Sequence, residues 1–413
     1  MKEPIFRFKG YTDDWVQRKL GEITSKIGSG KTPSGGAEAY VEAGTPLIRS
    51  QNVHDDMVDL SDVVFIDDET NKSMENSVVS TDDVLLNITG ASIGRSAVYK
   101  GLEPANVNQH VCIIRPIPGY YPDFVQLHIS SANGQKQIDS SQAGGAREGL
   151  NFQQIGKFEF SFPSFEEQAK IGDYIRGLDN LIALHQRKCE ALAELKKGML
   201  QKMFPKNGKK VPEFRFKGFT GDWEQRKLDE LCTFEKGRGL NKDDVDANGE
   251  YPCILYGELF TKYGMFIDSV ISRTNNVQVE YKRSEIGDIL VPRCDTTPDG
   301  LGRATSLSLE NVILGFDINI LKIKNRDNLD SKFVSVALNK HRKELLEKVV
   351  GNMVRHLENK EIKGIAIEYP HSIDEQRKIA HIFHQLENLI ALHQRKCDEL
   401  KNIKKGLLQK MFI

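Results

Sequence analysis

The chain is written twice. FRFKGYTDDWVQRKL occupies residues 6–20 and FRFKGFTGDWEQRKL residues 214–228, a shift of 208 positions. A second pair keeps the same shift: Glu166–Phe204 matches Asp374–Phe412, and LIALHQRKC is identical at 181–189 and 389–397. Two matches at one offset mean duplication of a half-chain, and the unit is too long for a solenoid repeat. It predicts pseudo-twofold symmetry within one polypeptide, the intrachain counterpart of a C2 dimer. Between the matched blocks, residues 21–160 and 229–368 share no comparable identity. Each half is therefore a variable lobe followed by a near-constant segment.

The constant segment predicts a long helix. Ile171, Ile175, Leu178, Ile182, His185, Cys189, Leu192, Lys196, Met199 and Met203 follow alternating steps of four and three, a heptad seam. The second copy repeats it from Ile379 through Phe383, Leu386, Ile390, His393, Cys397, Leu400, Lys404, Leu407 and Met411. Such a helix would be ~57 Å long. Pro163 and Pro370 stand just before each start. An amphipathic stripe of this length needs a partner. The simplest is the other copy in an antiparallel coiled coil; docking of each helix on its own lobe is the alternative. The domain reading is then a first lobe at 1–164, a helix at 165–204, a linker at 205–211, a second lobe at 212–372 and a helix at 373–413. Antiparallel pairing would bring His185 and His393 together, with Cys189 and Cys397 one turn away. Zinc is conceivable there, but polar seam residues that fix register are the preferred reading, and no metal is expected.

The lobes carry short β-type runs, among them TPLIRS (45–50), DVLLNITG (83–90), HVCIIRP (110–116), GDILVPR (287–293) and FDINILKIK (316–324), with helical patches at 122–138 and 330–350. The fold class expected is α+β: two mixed lobes separated by two long helices. Fifty-seven Lys and Arg against 58 Asp and Glu give a net charge of −1, which excludes a uniformly basic DNA-coating protein. The helical segments are net basic and the remainder net acidic. Six scattered cysteines without a CxxC pair suggest reduced thiols. No long apolar run suggests a membrane span or a signal peptide, so a cytoplasmic protein is expected. Gly30-Lys31-Thr32 imitates the end of a P-loop, but Ser25 stands where the first glycine is required and Pro33 follows. No HExxH or GxGxxG is present, which leans toward a non-enzyme. The acidic run at 55–69 reads as a solvated face.

The repeated F-x-G-(F/Y)-x-x-x-W-x-x-x-x-L opening, TPS at 32–34, DVLLNITGASIGRSAVYK followed by ANVNQHVCIIRP, and PSFEEQAKI at the first helix start together resemble the specificity subunit of Type I restriction–modification systems. GDILVPRCDTTPDGLGRA in the second lobe is a looser match, and YPHSIDEQRKI carries an insertion before the second helix. The resemblance covers essentially the whole chain. It implies that each lobe is a target recognition domain reading one half of a bipartite site in double-stranded DNA. The helices would set the spacer and hold two modification (methyltransferase) subunits, which bring S-adenosylmethionine. Restriction subunits, using ATP and Mg²⁺, would complete a bacterial cytoplasmic nuclease. The chain itself would hold no cofactor and catalyse nothing.

Base reading in the major groove favours Arg on guanine and Asn or Gln on adenine. Loop-borne candidates in the first lobe are Arg49, Gln51, Asn52, Thr89, Arg95, Asn108, Gln109 and Arg147; in the second they are Lys236, Arg238, Arg293, Thr296, Arg303, Arg355 and His356. The seam expected to serve pairing and partner docking comprises Ile175, Leu178, Ile182, His185, Leu192, Phe383, Leu386, Ile390, His393 and Leu400. The competing reading is a two-lobed assembly scaffold that binds protein, motivated by the acidic lobes and the long coiled coil; a small nuclease using the acidic run is a more distant one.

Overall fold

Apolar runs without polar alternation decide where the cores lie. Val84–Asn87 and Val111–Pro116 pair antiparallel, with Val111 opposite Asn87 and Ile114 opposite Val84. Successive side chains of a strand point to opposite faces. Here Val84, Leu86, Cys112 and Ile114 enter one core with Trp15, Phe124 and Ile171, and Leu85, Val111 and Ile113 enter another with Ile48, Val79 and Val107. Both faces are covered, so both faces are apolar. In this computed structural model, residues 4–142, 149–206, 208–296, 300–351 and 353–412 are described. The chain divides into two units, one of residues 1–185 with 395–413 and one of residues 186–394.

In the first unit the central antiparallel sheet runs in the order Thr24–Ser29, Val111–Pro116, Val84–Asn87, Ser96–Val98. A second sheet has the order Val64–Ile66, Thr45–Ile48, Ala105–Val107, Val78–Val79. Its Thr45–Ile48 and Ala105–Val107 run parallel. The second unit repeats this plan without repeating the sequence. Cys232–Lys236, Ile318–Ile323, Ile289–Pro292 and Thr305–Leu307 stand in order, followed by Phe266–Ile267. Tyr251–Ile254 and Ile313–Leu314 form the parallel pair. Ile289, Val291 and Leu321 face Phe333 and Phe383, whereas Leu290, Ile318 and Ile320 face Ile254 and Leu314.

The long helices span Phe165–Lys202 and Ile373–Met411. Each starts on a serine whose hydroxyl accepts a backbone N–H three residues on, Ser164 from Glu167 and Ser372 from Glu375, both at 3.4 Å. Acidic residues fill both first turns, which suits the helix dipole. Gln168 donates to the Pro163 carbonyl (2.9 Å) and accepts from the Tyr121 amide (3.0 Å). Gln376 does the same with Pro370 (2.8 Å) and Asp330 (2.9 Å). Pro163 adjoins Ser164, but His371 separates Pro370 from Ser372. The insertion is thus one exposed residue ahead of an unchanged cap.

Both helix alternatives posed by the sequence are realised in part. The first turns dock on their own lobe: Ile171, Ile175 and Leu178 belong to the first unit's core, and Ile379 and Phe383 to the second's. Farther on, the helices meet antiparallel. In the first unit Lys404 donates to Asp179 (2.6 Å). In the second, Lys196 pairs with Glu387 (2.5 Å) and the Cys189 thiol lies 3.7 Å from the Ile390 carbonyl. Leu386 is buried, while Ile182, His185, Leu192, Ile390, His393 and Leu400 are half-buried. The helix ends then complete the cores. Phe412 lies 5.2 Å from Phe124, and Phe204 stacks on Phe333 at 5.6 Å and meets Trp223 at 5.6 Å. The packing units therefore cut across the linear segments, and the linker read from residue 205 begins beside buried Phe204.

The repeated opening motif fastens each lobe to its helix. Arg7 grips Glu167 through two bonds of 2.7 and 2.8 Å, and Arg215 grips Glu375 at 2.8 and 2.9 Å. Both carboxylates are buried, so each depends on its bidentate partner. Arg215→Ala should leave a buried charge unpaired and destabilise the second unit by ~3–5 kcal/mol. Urea unfolding measures this; a change below ~1 kcal/mol would show that the pair contributes no more than an exposed ion pair.

His128 sits wholly inside the first unit, its ring 4.9 Å from Phe160 and 4.8 Å from both Phe124 and Phe412. Its Nε2–H donates to the Ser161 carbonyl at 2.8 Å. Burial drives its pKa down to about 3, against the smaller opposing effect of that carbonyl. The unfolded chain binds a proton below ~6.5. This site's contribution is therefore intact above that value and is lost as pH falls toward 3. First-unit stability should drop by up to ~5 kcal/mol from this group over that window. His128→Gln keeps a donor for Ser161 and should flatten the slope; an unchanged slope in pH-dependent unfolding would refute the assignment.

Candidate nucleic-acid interface

In the first unit the strand pairings gather four loops at one end. Because Thr45–Ile48 runs parallel to Ala105–Val107, residues 49–53 and 108–110 leave the sheet together. The Asn108 amide donates to the Ile48 carbonyl (3.2 Å), and the Gly30 amide to the Asn108 carbonyl (3.2 Å). Any side chain at Gly30 would strike the Val107 carbonyl, so this glycine serves a close approach of backbones. Buried Asn87 ties the fourth loop, which ends at Arg95, to the first. Its Nδ2 donates to the carbonyls of Ser50 (2.9 Å) and Val53 (3.2 Å), and its amide donates to the Arg95 carbonyl (2.9 Å).

The side chains at this end form short polar rows. Thr32 donates to Gln109 Oε1 (2.7 Å), Gln109 Nε2 meets His110 Nε2 (3.0 Å), and His110 Nδ1 meets the Thr89 hydroxyl (2.5 Å). Asn108 is half-buried and accepts from the His110 amide (3.1 Å). Arg49 lies 5.9 Å over the Tyr40 ring and donates to the Asp62 carbonyl (3.2 Å). Exposed Gln51 donates to the Asp62 carboxylate (2.8 Å). Arg95 is exposed. Asn52 corrects the sequence reading. It is buried, its Oδ1 accepts from the Arg49 amide (3.0 Å) and its Nδ2 donates to the Asp59 carbonyl (3.2 Å), so it shapes the turn and presents no edge outward. Arg147 lies outside the described residues.

The second unit places its candidates at the corresponding end. The Leu357 amide donates to the Arg293 carbonyl (2.8 Å), as the Leu150 amide does to Ile88 (3.0 Å). Beyond it, Cys294–Asp295 pairs with Arg355–His356, a two-stranded ribbon where the first unit has a single Thr89–Gly149 bridge. Arg293 donates to Glu358 (2.8 Å) and Asp317 (3.1 Å), and Lys236 donates to the other Glu358 oxygen (2.8 Å). The bond from Lys236, then that from Arg293, hold the Glu358 carboxyl below its usual range despite partial burial. Thr296 is exposed, with its amide on Asp295 (2.7 Å). Arg303 and Arg355 are half-buried, and His356 Nδ1 is buried with no hydrogen-bond partner among the described residues. Exposed Arg238 is anchored by its amide on the Leu314 carbonyl (3.0 Å).

The sequence reading missed the acids that aim these bases: Asp62, Asp317 and Glu358. The 55–69 run is not simply a solvated face. Asp56 pairs with Lys404 (2.6 Å), Asp59 caps Ser61 (2.9 Å), and Asp67 caps the helix starting at Asp68 through Thr70 (2.8 Å). Among the described residues no cluster of His, Cys, Asp and Glu is arranged to hold a metal ion, the His185 and His393 region included. All six cysteines are free; burial pushes the Cys112 and Cys232 thiols up to about 12, which keeps them protonated and unreactive. Among the described residues no helix is long and apolar enough to cross a membrane. What remains is guanidinium and amide edges on the first unit's sheet loops, and guanidinium, ammonium and hydroxyl groups on the second's, donor and acceptor types that match base edges.

Relatives agree with this geometry. Residues 12–194 and 220–402 each match the Type I restriction modification DNA specificity domain, so the matches reproduce the offset of the repeat. The chain is 23% identical over 410 residues to the putative type I restriction enzyme MjaX specificity subunit of Methanocaldococcus jannaschii, covering 96% of this chain and 92% of that one. It is 22% identical to the MjaVIII specificity subunit of the same organism, covering 96% and 91%. The crystal structure of a Type I restriction–modification S subunit from M. genitalium superposes with a TM-score of 0.69 at 15% identity, covering 100% of this chain and 99% of the other. With both halves matched, the chain belongs to the Type I restriction–modification DNA specificity family.

Proposed function

We propose that this chain is the specificity subunit of a Type I restriction–modification complex, in which each unit reads one half of a bipartite DNA target. The observation that carries the reading is the pairing of one plan with two vocabularies. Both units gather their loops at the same end of the same sheet arrangement, yet one end offers Arg49, Gln51, Thr89, Arg95 and Gln109 and the other Lys236, Arg238, Arg293, Thr296 and Arg355. Unlike residues on like scaffolds read unlike half-sites, which makes the target non-palindromic. The chain contributes recognition and no chemistry. Methyl transfer would come from two modification subunits carrying S-adenosylmethionine, and cleavage from restriction subunits using ATP and Mg²⁺, in the bacterial cytoplasm. The long helices would fix the unread gap and hold the modification subunits. Partners supplying phosphate contacts would account for acidic lobes on a DNA reader.

Mapping N6-methyladenine in cells carrying the modification and restriction genes, with and without this chain, tests the proposal. A bipartite motif that disappears on deletion is expected; an unchanged methylome with active partners would overturn it. Four residues inserted near Ala191 add ~6 Å of helix and should lengthen the unread gap by about one or two base pairs. An unchanged gap in a working complex would rule out the spacer role. Arg95→Ala should cost ~1–3 kcal/mol at one base of the first half-site if it reads a base, or lower the salt slope by about 1 if it binds phosphate. Wild-type affinity and slope would remove Arg95 from the interface.

A further inference from the structure

The seam between the long helices contains one lysine–carboxylate pair in each unit, related by the repeat: Lys404 with Asp179 and Lys196 with Glu387. Each pair reaches past the helices into the lobe. In the first unit the buried Lys404 ammonium also donates to Asp56 Oδ2 at 2.6 Å. Asp56 has a φ of 67°, a left-handed turn conformation that aspartate tolerates. Its amide donates to the Ser96 carbonyl (2.9 Å). Its Oδ1 accepts from buried Gln126 (2.8 Å), which donates again to the Ser96 carbonyl (3.0 Å). Ser96 follows Arg95, whose carbonyl accepts from Asn87, and Asn87 holds Ser50 and Val53. Hydrogen bonds, joined through the peptide link between Arg95 and Ser96, thus connect the second long helix to the loops bearing Arg95, Arg49 and Gln51.

The second unit reaches the corresponding place by another route. The Glu387 oxygen not engaged by Lys196 accepts the Met265 amide at 2.7 Å. A side chain at Gly264, 208 positions after Asp56, would run into that carboxylate. The Met265 carbonyl accepts from Ser306 (2.9 Å) and from Ser335 (2.9 Å), and Ser335 and Asn339 both hold the Ala304 carbonyl, at 2.8 and 2.6 Å. Ala304 follows Arg303. A pair that served only helix register would have no need of these lobe contacts, and two sequences would not have converged on them at equivalent strands.

We propose that Asp56 with Lys404, and Glu387 with Lys196, are positioning residues for target reading: each transmits the seating of the long helices to the reading loops of its own unit and of no other. This deepens the specificity reading and rests on it. Removing one link should loosen one half of the target while the other half stays strict. The Asp56 link is suited to a test because Asp56→Asn keeps the shape and leaves Lys404 one carboxylate in Asp179.

The experiment uses the assembled methyltransferase complex and measures methylation of the cognate duplex and of duplexes with one mismatch in either half-site. Asp56→Asn should raise methylation of first-half mismatches relative to cognate by about tenfold or more, with second-half mismatches rejected as in the wild type. Glu387→Gln should give the mirror result. Gln126→Met removes the side-chain bridge from Asp56 to Ser96 while leaving their backbone bond and the ion pair in place, and should relax the first half in the same direction, which covers the case of Asp56→Asn failing to assemble. Unaltered discrimination in assembled variants, or equal relaxation of both halves, overturns the positioning proposal. Loss of all motif-dependent methylation by the wild-type complex would instead overturn the specificity reading beneath it.

Discussion

An aromatic contact at the far end of each long helix governs how the rest of the molecule is built. Phe412 enters the core containing Trp15, Phe124 and His128, and Phe204 enters the one containing Trp223 and Phe333. A large ring buried among rings contributes more than its area alone, through edge and offset geometry. Without these residues each core would lack a wall, because the helix that begins in a lobe does not return to close it. Duplication supplies what a single half-chain lacks: the same Lys-Met-Phe ending, at 202–204 and 410–412, seals the other copy's lobe.

Polar contacts specify where apolar ones stabilise. The two Arg–Glu grips, the two glutamines that bridge proline and lobe, and the two serine caps recur at equivalent places in both units. Each satisfies a buried group that would otherwise be costly. This constant frame sets the helix at one angle to its sheet, whatever the loops contain. The reading ends can then vary freely, since no residue of the frame lies among them. Asn87 and Asn52 belong to a different class, inward-facing amides that give a variable loop its shape.

The parts of this architecture legible in the sequence were those with period or repetition. The offset, the helices and their proline-preceded starts were fixed by patterns spanning tens of residues. The repeat implied that the lobes share a plan, but the strand order of that plan was not legible, because strand pairing leaves only an apolar run and many sequences satisfy it. Candidate site residues were legible as types and not as orientations. Asn52 and Gln51 are adjacent in a turn, and only the fold decides that one points in and the other out. Arg293 and Lys236 converge on Glu358, 65 and 122 positions away in sequence, so no local pattern could announce that the three act together. Lys404 was read as one more seam position, and its second carboxylate comes from a lobe loop far upstream.

The division of the chain also sets an order of assembly. The second unit is one uninterrupted stretch, 186–394, whereas the first is made of residues 1–185 and a returning segment from 395. The piece that closes the first unit is therefore the last to be made. During synthesis the earlier lobe must wait for it, its Phe124 and His128 lacking the Phe412 ring. A frameshift or early stop near the C-terminus would therefore injure the lobe encoded first, and the half of the molecule farthest from the lesion in sequence would be the half that lost its structure.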